Sequence, residues 1–158
     1  YPRSMVAYDA QGKELFRLIS LWVLMDANTR AMVLPGKSDV IVEGLLTGSE
    51  LDAPRSLAPR GMTDTALRTV TYSCLDRNGH MNNTRYLDWV DDLLPGDFHK
   101  NHPTREINLC YLAEAREGQR LTMDWELSET GLLTVETHRS KADDSGKEER
   151  VFAAQVQF

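Results

Sequence analysis

The chain has 158 residues, of which 41% are hydrophobic and 27% are charged, and its formal net charge at pH 7 is −6. This length and composition suit one domain with a hydrophobic core, and the length is too short for two complete domains. A nucleic-acid partner is not expected, because binding phosphates requires a surplus of Lys and Arg. A membrane partner is not expected either, because no run reaches the roughly 18 apolar residues of a membrane-spanning helix.

The first 26 residues contain a polar turn followed by an apolar strand. This turn, at 8–14, resembles a second one at 143–148, which also precedes an apolar strand. The repeat predicts that both segments form the last hairpin of the same kind of domain. Residues 34–64, which are rich in Pro and Gly, are predicted to form a linker.

The densest group of polar side chains lies between residues 75 and 86, where a strand at about 66–74 is followed by a helix. Asp76, Asn78 and His80 are spaced by two, so an extended chain would project all three from one face. Gly79 allows a tight turn or the close approach of a ligand to the backbone. The helix that follows would present free backbone N–H groups to a developing oxyanion. The same residue types are also typical of an ordinary turn and helix cap, and this alternative stays open.

Apolar residues recur at helical spacing over 83–94, which predicts a single helix. Asn82 or Asn83 is expected to cap its start, and the Pro-Gly pair at 95–96 is expected to end it. The three aspartates in its later half, at 88, 91 and 92, are expected to form a solvated edge.

The remaining histidines and cysteines carry less information. His99 and His102 are placed in a loop, and no third ligand at a familiar spacing accompanies them, so no metal site is predicted. Cys74 and Cys110 fit no metal pattern and are expected to be buried thiols.

Alternation of apolar and polar residues predicts four antiparallel strands after the helix. The rows lie at 107–111, 119–128, 132–140 and 152–158. We expect these strands to form a meander. The charged run 141–150 is expected to be a solvated hairpin.

A strand, one helix and four antiparallel strands are the order of a hot-dog domain, in which an antiparallel sheet wraps one central helix. The expected fold class is therefore α+β. Residues 1–33 are predicted to be the terminal hairpin of an incomplete N-terminal hot-dog domain. Residues 34–64 would form the linker, and residues 65–158 a complete C-terminal hot-dog domain.

Three segments resemble the acyl-ACP thioesterase family. Residues 76–86 resemble the active-site segment of that family. Residues 20–30 resemble the strand that closes its first hot-dog domain, and residues 111–114 resemble the strand with its second acidic residue. The similarity follows the family's order over nearly the whole chain.

The resemblance implies a catalytic set made of Asp76, Asn78, His80 and Glu114. Asn78 would hold or polarise the thioester carbonyl, and His80 would orient or protonate. Either Glu114 or Asp76 would activate water or act as the nucleophile. Plant members carry a cysteine after the second acid, where this chain has Ala115. A cysteine nucleophile is therefore not expected, and a bacterial member is favoured.

The resemblance also implies a hydrolase that releases free fatty acids from acyl carrier protein in fatty acid biosynthesis. The expected partner is acyl carrier protein with a phosphopantetheine-linked acyl chain, and no metal or organic cofactor is expected. The location would be the bacterial cytoplasm rather than a plastid. The expected substrate-binding residues are Asn82, Asn83, Arg77 and Arg85.

Two alternative functions stay open, namely an acyl-CoA thioesterase and a non-catalytic acyl-binding hot-dog protein. Self-association, or pairing with a missing N-terminal segment, is also expected, because exposed strand edges form hydrogen bonds with other strands.

Overall fold

The computed structural model describes residues 1–29, 31–34, 36–37, 51–52, 54–140 and 147–158. The chain divides into two compact units, Tyr1–Arg55 and Ser56–Phe158. Within the described ranges, no helix combines the length and the apolar character needed to cross a bilayer.

The first unit contains two small antiparallel pairs. They are formed by β1 (Pro2–Tyr8) with β2 (Glu14–Leu21), and by β3 (Leu24–Met25) with β4 (Met32–Val33). The Asp9 carboxylate accepts hydrogen bonds from the backbone N–H groups of Gln11 and Lys13, which closes the β1–β2 turn. That this hairpin ends a first hot-dog domain stays a prediction. Residues 35, 38–50 and 53 of the predicted linker lie outside the described residues.

The second unit is built on a five-stranded antiparallel sheet with the order β5-β7-β8-β9-β6. Its strands are β5 (Asp64–Thr69), β6 (Glu106–Tyr111), β7 (Arg120–Leu127), β8 (Leu132–Ser140) and β9 (Glu148–Gln157). A 3₁₀ turn at Tyr72–Cys74 precedes α1 (Asn83–Asp91) and α2 (Gly96–Asn101). The α+β class expected from the sequence is therefore present.

The core lies between α1 and one face of the sheet. Leu121 and Met123 of β7 are fully buried, as alternation predicts for every second residue of a strand. On α1, Tyr86 is also buried, and its ring stacks on Phe152 of β9 with a centroid separation of 4.8 Å. Aromatic packing of this kind adds to the free energy gained by burying apolar area. The helix is thereby docked onto the sheet.

The predicted meander is wrong for β6. Of the four strands after the helices, only β7, β8 and β9 lie side by side in the order in which the chain forms them. Strand β6 pairs with β9 at the sheet edge. The chain after β6 must therefore pass β9 and β8 to reach β7. Alternation shows which face a side chain takes, but it does not show which strand lies beside another.

The segment after α1 also differs from expectation. The helix ends at Asp91, and α2 occupies the stretch where the sequence predicted a loop. Pro95 is the N-cap of α2, with extended backbone angles (φ −69°, ψ 151°), so it immediately precedes α2 as well as following α1. The His102 ring stacks on Phe98 with centroids 4.1 Å apart. Six residues give too short an apolar period for α2 to be recognised from sequence.

Strand β5 is shorter than expected and ends at Thr69, because the 3₁₀ turn occupies 72–74. The aspartates of α1 are exposed, as predicted.

The expected solvated hairpin at 141–150 is only partly described, because residues 141–146 lie outside the described residues. Arg150 is not a freely solvated residue. It forms an ion pair with Glu136 of β8, whose side chain is only 3% exposed. Glu136 also accepts a hydrogen bond from the Arg60 backbone N–H at 3.2 Å, and Arg150 donates to the Leu57 carbonyl at 2.9 Å. The pair thus fastens residues 57–60 to the face of the sheet opposite the core.

We predict that Glu136→Ala lowers the free energy of unfolding by about 3 kcal/mol, because it leaves the Arg150 charge without its carboxylate in a poorly solvated place. Glu126→Ala on β7 is the matched control, since Glu126 is exposed. It should change stability by less than about 0.5 kcal/mol. Urea-induced unfolding measures both variants, and equal losses would contradict a structural role for the ion pair.

Candidate active site

Residues 75–81 form a closed loop between the 3₁₀ turn and α1. Leu75 and Met81 are joined by an isolated antiparallel bridge. Within it, the Asp76 N–H donates to the His80 carbonyl at 2.8 Å, and the Gly79 N–H donates to the Asp76 carbonyl at 3.1 Å. Gly79 has a φ angle of 75°, which favours glycine. The segment is therefore not extended, and the turn that the sequence left open as an alternative is present.

The Asp76 carboxylate organises this loop. Its Oδ1 accepts from the backbone N–H groups of Asn78 at 2.8 Å and His80 at 3.3 Å, and its Oδ2 accepts from Asn78 Nδ2 at 3.4 Å. These bonds lower the pKa of Asp76, with the Asn78 backbone N–H as the largest cause. Asp76 is therefore a weak base whose oxygens are engaged inside the loop.

Glu114 reaches this loop from the segment that follows β6. Its Oε2 lies 3.1 Å from His80 Nε2, and the side chains of His80 and Glu114 are 17% and 45% exposed. The Met81 N–H donates to the Ala115 carbonyl at 2.8 Å, which joins the two segments through their backbones. The structure thus brings Glu114 together with the loop that carries Asp76, Asn78 and His80.

The start of α1 is capped by Asn82, one of the two candidates from sequence. Its Oδ1 accepts from the Thr84 N–H at 3.0 Å and from the Thr84 hydroxyl at 2.9 Å. The Arg85 N–H donates to the Asn82 carbonyl at 2.9 Å. The expectation that the first turn presents free N–H groups is therefore wrong for Thr84 and Arg85. The side chain of Asn82, expected to bind substrate, serves the cap.

The other three expected substrate-binding residues lie at the surface. Arg77 and Asn83 are exposed. Arg85 is half exposed and pairs with Asp88 at 2.8 Å on the same helix. Their contact with substrate stays a prediction.

Arg139 of β8 is a site residue that the sequence did not reveal. Its Nη1 donates to the Glu114 carbonyl at 2.6 Å and to Gln119 Oε1 at 2.8 Å. Its Nε and Nη2 lie 2.8 and 2.7 Å from Glu149 Oε2. Arg139 lies 25 residues after Glu114, and nothing in the local sequence pattern marks it. The contact exists only once β8 packs beside the segment that carries Glu114.

The two cysteines belong to the 3₁₀ turn and to β6. Cys74 is buried and Cys110 is half-buried, and the two are not joined by a disulfide. The Leu57 N–H points to the Cys110 sulfur at 3.4 Å.

The arrangement can support hydrolysis of an activated carbonyl. A carboxylate and an imidazole within hydrogen-bond reach of one another can accept and return the proton of a water molecule. Asn78 carries two amide protons, and one of them is directed to Asp76. The other has the chemistry needed to stabilise an oxyanion.

The family model named Acyl-ACP thioesterase C-terminal domain matches residues 61–157. This chain belongs to the acyl-ACP thioesterase family. An acyl-ACP thioesterase structure from Bacteroides thetaiotaomicron matches with a TM-score of 0.79 and 28% identity, over 99% of this chain and 62% of that chain. No match was found among curated proteins.

A 12:0-ACP thioesterase structure from Umbellularia californica matches with a TM-score of 0.74 and 21% identity, over 99% of this chain and 61% of that one. The similarity confirms the hot-dog fold expected from the sequence. The chain spans about three fifths of the length of these two thioesterases.

We predict that Asn82→Ala lowers the free energy of unfolding by about 1 kcal/mol, because the Thr84 N–H loses its acceptor. Asn83→Ala is the matched control. Its side chain is exposed, and the change should cost less than about 0.5 kcal/mol. Chemical denaturation measures both, and an Asn82→Ala variant as stable as the parent would contradict the capping role.

We also predict that the Asp76 carboxyl titrates below its ordinary pKa of 3.8. Because the folded pKa is depressed, the stability that Asp76 contributes is complete above about pH 3.9 and is lost as the pH falls through the folded pKa. Carbon-13 NMR of the carboxyl group gives the midpoint directly. A midpoint at or above the ordinary value would show that the loop hydrogen bonds do not favour the charged form.

Proposed function

We propose that this chain carries the catalytic residues of a thioester hydrolase that releases free fatty acids from acyl carrier protein. The contact of 3.1 Å between His80 Nε2 and Glu114 Oε2, beside the loop of Asp76 and Asn78, is the observation that supports the proposal. A non-catalytic acyl-binding domain has no need for this contact in a half-exposed place. Membership of the acyl-ACP thioesterase family supports the choice of substrate.

In the proposed reaction, the Glu114 carboxylate removes a proton from water, and the water oxygen attacks the thioester carbonyl carbon. The resulting oxyanion accepts a hydrogen bond from Asn78 Nδ2. Collapse of the tetrahedral intermediate breaks the carbon–sulfur bond. His80 receives the water-derived proton from Glu114 across their 3.1 Å contact and delivers it to the leaving thiolate. A carboxylic acid and a free thiol are formed, and both side chains return to their starting protonation states.

Glu114 suits the role of base better than Asp76 does. The Asp76 carboxylate accepts three hydrogen bonds within its own loop, and these lower its pKa. A general base works best when its pKa is close to the working pH. Asp76 is therefore assigned to holding the loop and orienting Asn78, whereas Glu114 is assigned to proton transfer.

The proposed partner is acyl carrier protein with its phosphopantetheine-linked acyl chain, in fatty acid biosynthesis in the bacterial cytoplasm. Acyl carrier protein is acidic, and the exposed Arg77 places positive charge on the catalytic loop of an otherwise acidic chain. Arg85, which pairs with Asp88, lies on the adjoining helix. Asn83 is proposed to contact the arm of the substrate. Water and these side chains suffice for the reaction, so no cofactor enters the proposal.

We predict that Glu114→Gln lowers kcat for acyl-ACP hydrolysis by about 10²- to 10⁴-fold, because an amide cannot take the proton from water. Glu117→Gln is the matched control. This variant removes one negative charge from an exposed position of the segment that also carries Glu114, and it should retain the parental kcat. Release of free thiol measures both variants, and thermal unfolding shows that each is folded. A Glu114→Gln variant with parental activity would contradict the proposed role.

The same assay identifies the preferred acyl donor when it is run with acyl-ACP and acyl-CoA that carry the same acyl group. A higher kcat/KM with acyl-ACP is expected. A preference for acyl-CoA would overturn the choice of carrier and leave thioester hydrolysis in place.

A further inference from the structure

Arg139 lies between β9 and the segment that carries Glu114. On one side its Nε and Nη2 contact the Glu149 carboxylate of β9, and on the other its Nη1 contacts the Glu114 carbonyl. The side chain is 19% exposed, so these charge-assisted contacts are partly shielded from water. The Glu149 carboxylate thus holds the guanidinium, which donates a hydrogen bond to the backbone of Glu114.

The segment that carries Glu114 contains no helix or strand and depends on such contacts for its position. The N–H groups of residues 112 and 113 both donate to the Val151 carbonyl, at 2.9 and 3.1 Å. After Glu114, the Ala115 carbonyl accepts from Met81. Arg139 holds the carbonyl between these two anchors.

Arg139 also holds the far end of the same segment. Its Nη1 donates to Gln119 Oε1 at 2.8 Å, and that oxygen also accepts from the Arg116 N–H at 2.8 Å. The Val70 N–H donates to the Gln119 carbonyl, which joins this end to the region just after β5. One guanidinium therefore contacts both ends of the stretch from Glu114 to Gln119.

We propose that Arg139 is a positioning residue that holds the Glu114 carboxylate opposite His80. This inference rests on the proposed function, because it concerns the same proton transfer. Arg139 contacts the Glu114 backbone and acts through Glu114. Its planar fork of donors reaches two acceptors and the Glu149 carboxylate at once, which a lysine ammonium on a flexible stem cannot reproduce.

The first test is Arg139→Met, which keeps an apolar stem and removes every donor. Displacing a catalytic group by about 1 Å can lower a rate by about 10²-fold. We expect kcat to fall roughly 10- to 100-fold, with KM changed by less than about twofold. Arg116→Gln is the matched control, because it removes a positive charge from an exposed position of the same segment. It should keep parental kcat.

A double-mutant cycle separates positioning of Glu114 from a general structural role. In the Glu114→Gln background, Arg139→Met should lower kcat by less than about twofold, because the group that Arg139 positions is already inactive. A structural role would lower kcat equally in both backgrounds. An additive loss would therefore overturn the inference. Arg139→Lys extends the cycle if the Met variant unfolds early, and we expect its kcat to lie between those of the parent and Arg139→Met.

Crystal structures of the parent and of Arg139→Lys test the inference without activity. We expect the distance between His80 Nε2 and Glu114 Oε2 to lengthen from 3.1 Å to beyond hydrogen-bond reach, about 3.5 Å. An unchanged distance would overturn the positioning role. A parent protein that hydrolyses no thioester would instead overturn the proposed function, and the crystallographic distance would still decide the role of Arg139.

Discussion

The docking of α1 onto the sheet is the constraint on which the site depends. Tyr86 stacks on Phe152 and meets Tyr111 edge-on, with centroids 5.9 Å apart. The Tyr111 hydroxyl also donates to the Asn83 carbonyl at 3.1 Å, so the start of α1 and the end of β6 are tied together. His80 lies three residues before Asn83, and Glu114 lies three residues after Tyr111. The packing of Tyr86 in the core and the Tyr111 hydrogen bond at its edge therefore bring an imidazole and a carboxylate together at the surface.

The acidic side chains Asp76 and Glu114 have different surroundings. The pKa of Asp76 is lowered chiefly by the Asn78 backbone N–H, which makes this carboxylate a structural acceptor. Glu114, by contrast, presents its carboxylate to His80 in a half-exposed place. Under the proposed function, these two acids in unlike environments divide the work of holding a loop and moving a proton.

Two arginines of the sheet, Arg139 and Arg150, are each paired with a glutamate. Glu149 holds Arg139 against the Glu114 segment, and Glu136 holds Arg150 against residues 57–60. In each case a carboxylate on the β8–β9 pair orients a guanidinium that then contacts the backbone of a segment without regular structure. Desolvated ion pairs are weak sources of net stability, but removing one partner is costly. Such pairs therefore determine where irregular segments lie more than how stable the fold is.

The sequence by itself determined the α+β class, the strands with clear alternation, α1 with its cap, and the grouping of Asp76, Asn78 and His80, because these features depend on local periodicity and on short-range hydrogen bonds. It could not reveal that β6 pairs with β9, since alternation carries no information about neighbours. It also could not reveal α2, which is too short for an apolar period, and it left open whether residues 75–81 form an extended segment or a turn. The contact of Glu114 with His80 was expected only from family resemblance, and the roles of Arg139 and Glu136 were not foreseen. Those contacts join residues distant in sequence, so only the tertiary packing of α1 and β8 against their neighbours decided them.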